Sequence, residues 1–379
     1  MDHDLIVVGG GPVGLSLARA VQGLSVGLVA RGRPPQGSPS ASGGFDARVY
    51  ALTPGNLDFL RALVPLAEDR LTPVYRMIVH GDGNAHIEFD AYRAGVPALA
   101  WIAEDRMLQA ALWQDLPSTL HAGECEALAM EPRVARLALA GGATLAAKLV
   151  VGADGAASFV RRHAGIRASE SSYGQAAVVA NFHCTRAHQN TAYQWFQGGP
   201  VLALLPLPGD HVSMVWSLPA DEALRVEGLD APRLCEEVRR ASGGVLGELA
   251  LVTPQRRYAL QRLSAERLVA PRVALVGDAA HVIHPLAGQG LNLGLQDVRV
   301  LLRVLEEREP VRDLGDYRLL RRYERSRAEP ILAMDTVVDG LYRLFGAPGN
   351  ATARLRNSGL NLTDRMPVLK NILIRQAMS

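Results

Sequence analysis

The N-terminal pattern of apolar and polar positions predicts a strand, a helix and a second strand. The apolar run LIVV at residues 5–8 stops at three glycines, which is typical of a buried strand that enters a tight turn. Pro12 follows at a suitable first position of a helix, and apolar residues recur at helical spacing through Val21. The segment VGLVA at residues 26–30 predicts the next strand. The chain therefore begins with a β-α-β unit.

Two later segments repeat the pattern of an apolar strand that stops at glycine. They are KLVVGADG at residues 148–155 and RVALVGDAAH at residues 272–281. After the second, leucines and valines recur at helical spacing and predict a long helix that begins just past Gly290. The segment AEDRMLQAALW predicts a shorter helix at residues 103–113.

The middle of the chain has a different pattern, which predicts an inserted sheet. Residues 76–89 alternate around a Gly-Asp-Gly turn and predict a hairpin, and polar turns separate strand-like segments between Tyr173 and Leu263. We therefore predict an α/β protein, α+β overall, with a Rossmann-like nucleotide-binding domain, an inserted, largely antiparallel β-sheet domain for the substrate, and a C-terminal helical region. The predicted boundaries are 1–74, 98–172 and 264–313 for the nucleotide-binding domain, 75–97 and 173–263 for the sheet domain, and 314–379 for the helical region.

Composition and charge narrow the class of protein. Forty basic and thirty-eight acidic residues give the 379-residue chain a net charge of +2, which points to no nucleic-acid partner. Asp2 and Asp4 stand where a signal peptide needs basic residues, and no apolar run approaches the roughly 20 residues that span a bilayer. Three widely spaced cysteines, at positions 125, 184 and 235, are typical of reduced thiols, so we expect a cytoplasmic protein that lies at most on a membrane surface.

Gly9, Gly11 and Gly14 form the pattern G-x-G-x-x-G between the first strand and the first helix. In dinucleotide-binding units the first glycine permits the tight turn, the second admits the pyrophosphate, and the third lets the helix pack on the strand. The helix N-terminus, here Pro12 and Val13, faces the phosphate charge. The motif predicts a bound dinucleotide, but NAD and FAD share it.

The two later glycine turns favour FAD over NAD. Asp154 and Asp278 each follow a predicted strand and precede small residues. A carboxylate there can accept hydrogen bonds from a polyol chain, which FAD has and NAD lacks. The second helix N-terminus, near Gly290, is suited to stabilising negative charge on a reduced flavin ring.

Ordered motifs along nearly the whole chain carry a resemblance to a known family. They are GGGPVGLSLA, FDARVYALTPGNLDFL, EDRMLQAAL, GADGAASFVRR, YGQAAVVA, GDAAHVIHPLAGQGLNLGLQDV, GDYRLLRRYERSR and GLNLTDRMPVLKNILIRQAM. Together they resemble the FAD-dependent aromatic hydroxylases of the p-hydroxybenzoate hydroxylase type, and most closely the ring hydroxylases of ubiquinone biosynthesis.

The resemblance implies a flavoprotein monooxygenase that binds FAD. It implies NADH or NADPH as a transient electron donor, O2 as co-substrate, and a polyprenylated phenol or quinone precursor as substrate. In that family O2 adds to the reduced flavin at C4a, and the hydroperoxide hydroxylates the aromatic ring. No second Rossmann domain for the electron donor is expected.

The resemblance also assigns roles to individual residues. Arg48, Arg106 and Gln109 match positions that contact FAD in the family. Asp154 matches an Asp-Gly motif associated with FAD and pyridine nucleotide, and Asp278 matches the carboxylate near the ribityl and pyrophosphate groups. The predicted FAD-binding residues are thus Gly9, Gly11, Pro12, Val13, Gly14, Arg48, Arg106, Gln109, Asp154, Gly277, Asp278, Gly290, Leu291 and Asn292, and those beside the flavin ring, the candidate catalytic environment, are Pro285, Gly288 and Gln289.

Two other functions stay open. One is a flavin oxidoreductase of the same fold that inserts no oxygen. The other is a non-catalytic, scaffolding member of a quinone-synthesis assembly. His281 and His284, with no clear carboxylate or cysteine companion in the sequence, favour structural histidines over a metal site, and the resemblance implies no metal.

Two further segments allow more than one interpretation. Tyr193, Trp195 and Phe196 fit core packing or an aromatic pocket. The basic, amphipathic segment at 359–378 fits contact with a membrane surface, a docked helix or an oligomer contact.

Ala30 is a local departure from the family pattern. An acid about 20 residues past the first glycine binds the adenosine ribose in dinucleotide folds, and the related hydroxylases generally carry Glu at this position. Here Ala30 precedes Arg31 and Arg33. We expect the main chain, water or an arginine of this loop to hold the ribose instead.

Overall fold

The computed structural model describes residues 1–32, 44–81, 85–116, 118–196, 198–283 and 289–346. The helices are α1 (Pro12–Ala20), α2 (Pro54–Leu63), α3 (Ala91–Ala94), α4 (Asp105–Trp113), α5 (Phe159–His163), α6 (Ala220–Glu227), α7 (Ala231–Ala241), α8 (Gln289–Glu306) and α9 (Tyr317–Gly346). The strands are β1 (His3–Val8), β2 (Val26–Ala30), β3 (Val49–Leu52), β4 (Thr72–Val74), β5 (Arg76–His80), β6 (His86–Asp90), β7 (Ala100–Glu104), β8 (Thr119–Ala122), β9 (Cys125–Met130), β10 (Ala135–Leu139), β11 (Thr144–Gly152), β12 (Ala168–Cys184), β13 (Thr191–Phe196), β14 (Val201–Leu207), β15 (His211–Pro219), β16 (Leu249–Leu251), β17 (Arg256–Ala265), β18 (Val269–Ala270), β19 (Val273–Leu275) and β20 (His281–Val282).

The first sheet contains the strands that the glycine turns follow. Its order is β18-β19-β11-β1-β2-β8, and the strands from β19 to β8 run parallel. Residues 5–7 are fully buried, as expected of a central parallel strand covered on both faces. Val8 pairs with Gly152 of β11 and with Val29 of β2, so the strands end at one edge. Ligands of open α/β sheets bind outside this carboxyl edge.

The second sheet is largely antiparallel, in the order β20-β17-β12-β15-β14-β13-β5-β6. The exception is β13, which pairs in parallel with β5. One face packs on α6 and α7 through a core that includes Phe182, Met214 and Leu234, all fully buried. The opposite face meets the small sheet β3-β7-β4 through Ile102 and Leu207. The edge strand β20 follows the glycine turn at the end of β19, so the second sheet begins beside the carboxyl edge of the first.

The predicted elements are present, with differences at their ends. The hairpin at 76–89 is formed by β5 and β6. The helix predicted at 103–113 begins at Asp105, because Ala103 and Glu104 complete β7. The predicted helix after the third glycine turn is α8.

The sequence did not indicate two helices that lie inside the inserted segment. These are α6 and α7, and the side chain of Asp230 caps α7 by accepting from the backbone N–H of Arg233. The predicted boundary at residues 172/173 falls inside β12, and the one at 263/264 falls inside β17. Both strands run on because they pair with each other from Ala168 to Val179.

No helix among the described residues is long and apolar enough to cross a membrane. The amphipathic segment at 359–378 lies outside the described residues.

Candidate functional site

The glycines of the turn between β1 and α1 have two different roles: some allow close backbone packing and one leaves space for a ligand. A Cβ on Gly9 would lie 2.2 Å from the carbonyl oxygen of Ala153, and one on Gly14 would lie 2.2 Å from the carbonyl oxygen of Gly9. A Cβ on Gly11 would meet none of the described residues within 4 Å. Gly9 and Gly14 are therefore required by the fold, whereas Gly11 leaves open space at the N-terminus of α1, where a phosphate group can approach.

The third glycine turn packs directly against the first. A Cβ on Gly277, whose φ is +60°, would lie 3.3 Å from the side chain of Val13. A Cβ on Gly294 of α8 would lie 2.7 Å from Val13 and 3.1 Å from the Cα of Gly277. The starts of α1 and α8 are thereby held together at the carboxyl edge, with Val13 packed between them.

Arg48 interacts electrostatically with Asp105 and Asp278 beside these turns, and we call this group of three residues the charged recess. Arg48 lies over the ring of Tyr50 at 5.3 Å, and the hydroxyl of Tyr50 donates to Oδ1 of Asp105 at 3.1 Å. Nε2 of Gln109 donates to Oδ2 of the same carboxylate at 2.8 Å. Gln109 therefore orients this acid, and its predicted contact with FAD stays a prediction.

The recess perturbs the protonation of both its charged ends. Asp278 reaches solvent, yet the surrounding protein desolvates its carboxyl and raises its pKa, while the charges of His281 and Arg48 oppose this shift. Arg48 likewise reaches solvent, and desolvation by the surrounding protein disfavours its charge, but Tyr50, Asp105 and Asp278 outweigh that effect and raise its pKa. A cation and a carboxylate whose pKa is raised by desolvation thus face the same recess, which marks it as a candidate binding site.

Arg106 lies at the same edge but is held only through its main chain. Its backbone N–H donates to Oδ2 of Asp46 at 3.0 Å, and its side chain is exposed. Among the described residues no hydrogen bond to its guanidinium is present, so the side chain is available to a ligand.

Both carboxylate oxygens of Asp154 accept hydrogen bonds from other groups of the protein. Oδ1 accepts from the hydroxyl of Ser158 at 2.5 Å, and Oδ2 accepts from the backbone N–H groups of Phe159 and Val160 at 2.7 and 3.1 Å. The side chain therefore fixes the start of α5 next to the glycine turn of β1. The contact with FAD that the resemblance implies for Asp154 stays a prediction.

Asn292 likewise holds elements together. Its Oδ1 accepts from the backbone N–H of Thr53 at 2.9 Å and from Nδ2 of Asn56 at 3.0 Å, and its Nδ2 donates to the carbonyl of Ala51 at 2.7 Å. The residue is 1% exposed. The amide joins α8 to β3 and α2, and its predicted contact with FAD stays a prediction.

Several predicted residues of the third turn are only partly described. Pro285 and Gly288 lie outside the described residues, as does His284, and only the backbone of Gln289 is described. No described residue comes within 4 Å of a Cβ built on Gly290, as is also the case for Gly11. Leu291 is buried in the core of the first sheet.

A buried ionic network under the third turn was not indicated by the sequence. Oδ2 of Asp297 accepts from the backbone N–H of Gly277 at 2.9 Å and lies 2.7 Å from Nε2 of His281, and Oδ1 accepts from Nε of Arg327 at 2.6 Å. Burial opposes ionisation of this fully buried carboxyl, but His281, Arg327 and the N–H of Gly277 outweigh it and lower its pKa. The carboxylate thus orients the turn that presents Asp278.

The partner of His281 corrects one expectation from the sequence. His281 has a carboxylate companion, Asp297, contributed from α8. Its imidazole is 4% exposed and supports the turn. Among the described residues, no group of three or more His, Cys, Asp and Glu is placed to hold a metal.

The aromatic residues of the second sheet lie on different faces. The rings of Tyr193 and Trp195 stack on each other with their centroids 5.7 Å apart. Both pack against the core that includes α6 and α7. Phe196 is buried in a separate cluster with Val79 and Ile87. These contacts support core packing. No sequence motif pointed to Tyr258, which lies on β17 and helps to raise the pKa of Arg48 through its charge interaction.

These features fit the binding of FAD. The open backbone at Gly11 and the N-terminus of α1 suit a pyrophosphate, and Arg48 adds a positive charge. The carboxylate of Asp278 suits the hydroxyl groups of a polyol chain. The second open helix start, at Gly290, suits the flavin end.

Comparison with known sequences agrees with this chemistry. A sequence family described as an FAD binding domain matches residues 120–336. Ubiquinone hydroxylase UbiL of Rhodospirillum rubrum is 34% identical over 99% of this chain and 89% of its own length. The 3-demethoxyubiquinol 3-hydroxylase of Escherichia coli is 33% identical over 99% of this chain and 98% of its own length.

Solved structures confirm the predicted fold class. HpxO of Klebsiella pneumoniae, complexed with FAD and uric acid, superimposes with a TM-score of 0.76 at 17% identity and covers 98% of this chain and 96% of its own. PqsL of Pseudomonas aeruginosa, a probable FAD-dependent monooxygenase, superimposes with a TM-score of 0.78 at 22% identity and covers 95% of this chain and 100% of its own. At these identities the likeness establishes the fold.

Proposed function

The chain belongs to the family of FAD-dependent hydroxylases of ubiquinone biosynthesis, and on this premise we propose that it hydroxylates the aromatic ring of a polyprenylated phenol precursor of ubiquinone. NADH or NADPH would supply the electrons and O2 the oxygen atom. The observation that carries the proposal is the meeting of two open helix starts, at Gly11 and Gly290, with the recess of Arg48 and Asp278.

The protein's own contribution to the reaction is binding, orientation and exclusion of water. The open N–H groups at the start of α1, together with Arg48, would bind the pyrophosphate, and Asp278 would accept hydrogen bonds from FAD hydroxyl groups. Asp297 keeps that turn in place through the N–H of Gly277. FAD, when bound, supplies the redox and oxygen chemistry.

The second sheet is proposed to form the wall of the substrate site. Tyr258 pairs with Ala177 of β12, on the face opposite to the one that packs on α6 and α7. We propose that this face stands beside the recess, because Tyr258 interacts electrostatically with Arg48. This face combines apolar side chains, among them Val179 and Val215, with polar ones, among them Ser217 and Tyr258. Such a mixture suits an aromatic substrate that carries a hydroxyl group.

The predicted domain division and cellular location remain part of the proposal. The parallel sheet supports an FAD-binding domain from 1–74, 98–172 and 264–313, and the second sheet supports a substrate domain, with β12 and β17 shared across the boundaries. We propose a cytoplasmic protein that contacts the inner membrane peripherally, because its substrate would carry a polyprenyl chain. Association in a homo-oligomer or a quinone-synthesis complex is compatible with this.

Complementation tests the proposal. The gene is expressed in strains that are each blocked at one ring-hydroxylation step, and quinone intermediates are analysed by mass spectrometry. Restoration of one strain, with its accumulated precursor converted to a product heavier by one oxygen, is expected. If the protein is expressed with bound FAD and restores none of the strains, the hydroxylase proposal fails.

A further inference from the structure

The end of β2 lacks the acid that dinucleotide folds use to bind the adenosine ribose. The side chain of Ala30 faces the first glycine turn, because a Cβ on Gly10 would lie 3.0 Å from the Cβ of Ala30. Trp113 of α4 lies on the same spot, with its Cζ2 2.7 Å from that built Cβ. Ala30 is therefore at the family position of the acid but offers only a methyl group.

The neighbouring strand brings an acid to the same place. β8 runs parallel to β2, and Ala122 pairs with Ala30 at the ends of the two strands. The backbone N–H of Gly123 then donates to the carbonyl of Ala30 at 3.0 Å. Glu124 follows directly, so it leaves the sheet beside the end of β2.

Side-chain contacts place the carboxylate of Glu124 next to the residue after Ala30. Its Oε1 lies 3.0 Å from Nε of Arg31. Its own carbonyl accepts from the backbone N–H of Ala140 at 2.8 Å, which fixes the main chain at this point. The Glu124 side chain is 67% exposed, so the fold does not consume it and a ligand can reach it.

Asp154 is another acid at this edge, but its carboxylate is already hydrogen-bonded within the protein. Both its oxygens are occupied by the start of α5. Glu124 is instead accessible and ion-paired only at the surface.

We propose that Glu124 binds the ribose hydroxyl groups of the adenosine half of FAD, in place of the acid that is absent at residue 30. The inference rests on FAD as the cofactor. Glu124 accepts hydrogen bonds from the 2′- and 3′-hydroxyl groups, and Arg31 holds its carboxylate over the strand end. The role of the ribose acid has moved from the end of β2 to Glu124, two residues past the end of β8.

Titration of the apoprotein with FAD, followed by flavin fluorescence, tests this assignment. Glu124→Gln should weaken FAD binding by about tenfold, the effect of losing one charge-assisted hydrogen bond. Glu126→Gln, which alters an exposed acid two residues later, is the matched control and should bind like wild type. Unfolding curves of both variants should coincide with that of wild type, since both side chains are exposed.

A second ligand and a rescue variant separate a ribose contact from a general charge effect. Wild type should bind FAD more tightly than FAD with a 2′-deoxyadenosine half, and Glu124→Gln should lose this preference. Ala30→Glu introduced into Glu124→Gln should restore part of the affinity.

The outcomes distinguish this inference from the function on which it rests. Wild type that takes up no FAD overturns both. FAD binding by Glu124→Gln equal to wild type, or an unchanged preference for FAD over the deoxy analogue in that variant, overturns the assignment of Glu124 alone.

Discussion

Gly9 and Ala153 are in contact so close that no side chain fits between them. A Cβ on Gly9, whose φ is +124°, would lie 2.2 Å from the carbonyl oxygen of Ala153. This contact joins the turn after β1 to the end of β11, and so brings the first glycine motif next to Asp154. The first and second glycine turns of the sequence are thus one structural unit.

The glycines of the first turn should separate folding from cofactor binding. Gly11→Ala should leave the free energy of unfolding within about 0.5 kcal/mol of wild type, because a Cβ there meets none of the residues that the structure describes and its φ of −82° is ordinary. The same variant should bind FAD at least tenfold more weakly, since the methyl group occupies the path of the pyrophosphate. Urea unfolding and FAD titration measure the two effects.

Gly9→Ala is the companion variant, with the opposite expectation for stability. Backbone strain at positive φ costs about 1–3 kcal/mol, and the clash with Ala153 adds to it. The free energy of unfolding should therefore fall by more than the strain alone. Equal stability of the Gly9 and Gly11 variants would contradict the division of roles.

Asp297 should be among the most sensitive core positions. Asp297→Asn removes the anion that pairs with buried Arg327 and accepts from Gly277, so we expect a loss of about 3–5 kcal/mol in unfolding free energy. Glu68→Gln, which breaks the exposed pair with Arg61, should cost less than about 1 kcal/mol. Similar losses in the two variants would show that the buried network does not hold the turn.

The same carboxylate predicts an acid dependence of stability. The folded-state pKa of Asp297 lies below its ordinary value of 3.8, so its stabilising contribution is complete above that value and is lost as the pH falls through the folded pKa. Wild type should therefore lose stability below about pH 4 more steeply than Asp297→Asn. Unfolding curves between pH 2.5 and about pH 6 provide the comparison. Parallel curves would rule out the depressed pKa.

The carboxyl of Asp278 should change stability with pH in the opposite direction to that of Asp297. Its folded-state pKa is raised, so its ionised form opposes folding above that pKa, and the penalty disappears below the unfolded value. Asp278→Asn should make the apoprotein at least as stable as wild type at pH 7 while it weakens FAD binding, and the stability difference should shrink at acid pH. An apoprotein destabilised at pH 7 would mean that the carboxylate serves the fold.

Local signals in the sequence account for much of the fold and part of the site. Strands that stop at glycine were predictable because they combine a continuous apolar run with a residue suited to a tight turn, as at 5–8 and 149–151. The helix α7 had a signal too, since Asp230 precedes a helical pattern as an N-cap, but the surrounding strands obscured it.

What the sequence did not indicate is assembled from distant positions. The network under the third turn joins Gly277, His281, Asp297 and Arg327, and no short motif contains them all. Asn292 could not be recognised as a structural amide, because its partners lie some 240 positions earlier, in the segment 51–56.

Incorporation of labelled oxygen tests the central claim most directly. The protein loaded with FAD is supplied with NADH or NADPH, with ¹⁸O2 and with prenylated phenol precursors of ubiquinone, and the products are analysed by mass spectrometry. The account predicts a ring-hydroxylated product that carries one ¹⁸O atom from O2. Reduction of bound FAD and consumption of O2 without labelled product from any of these precursors would contradict it.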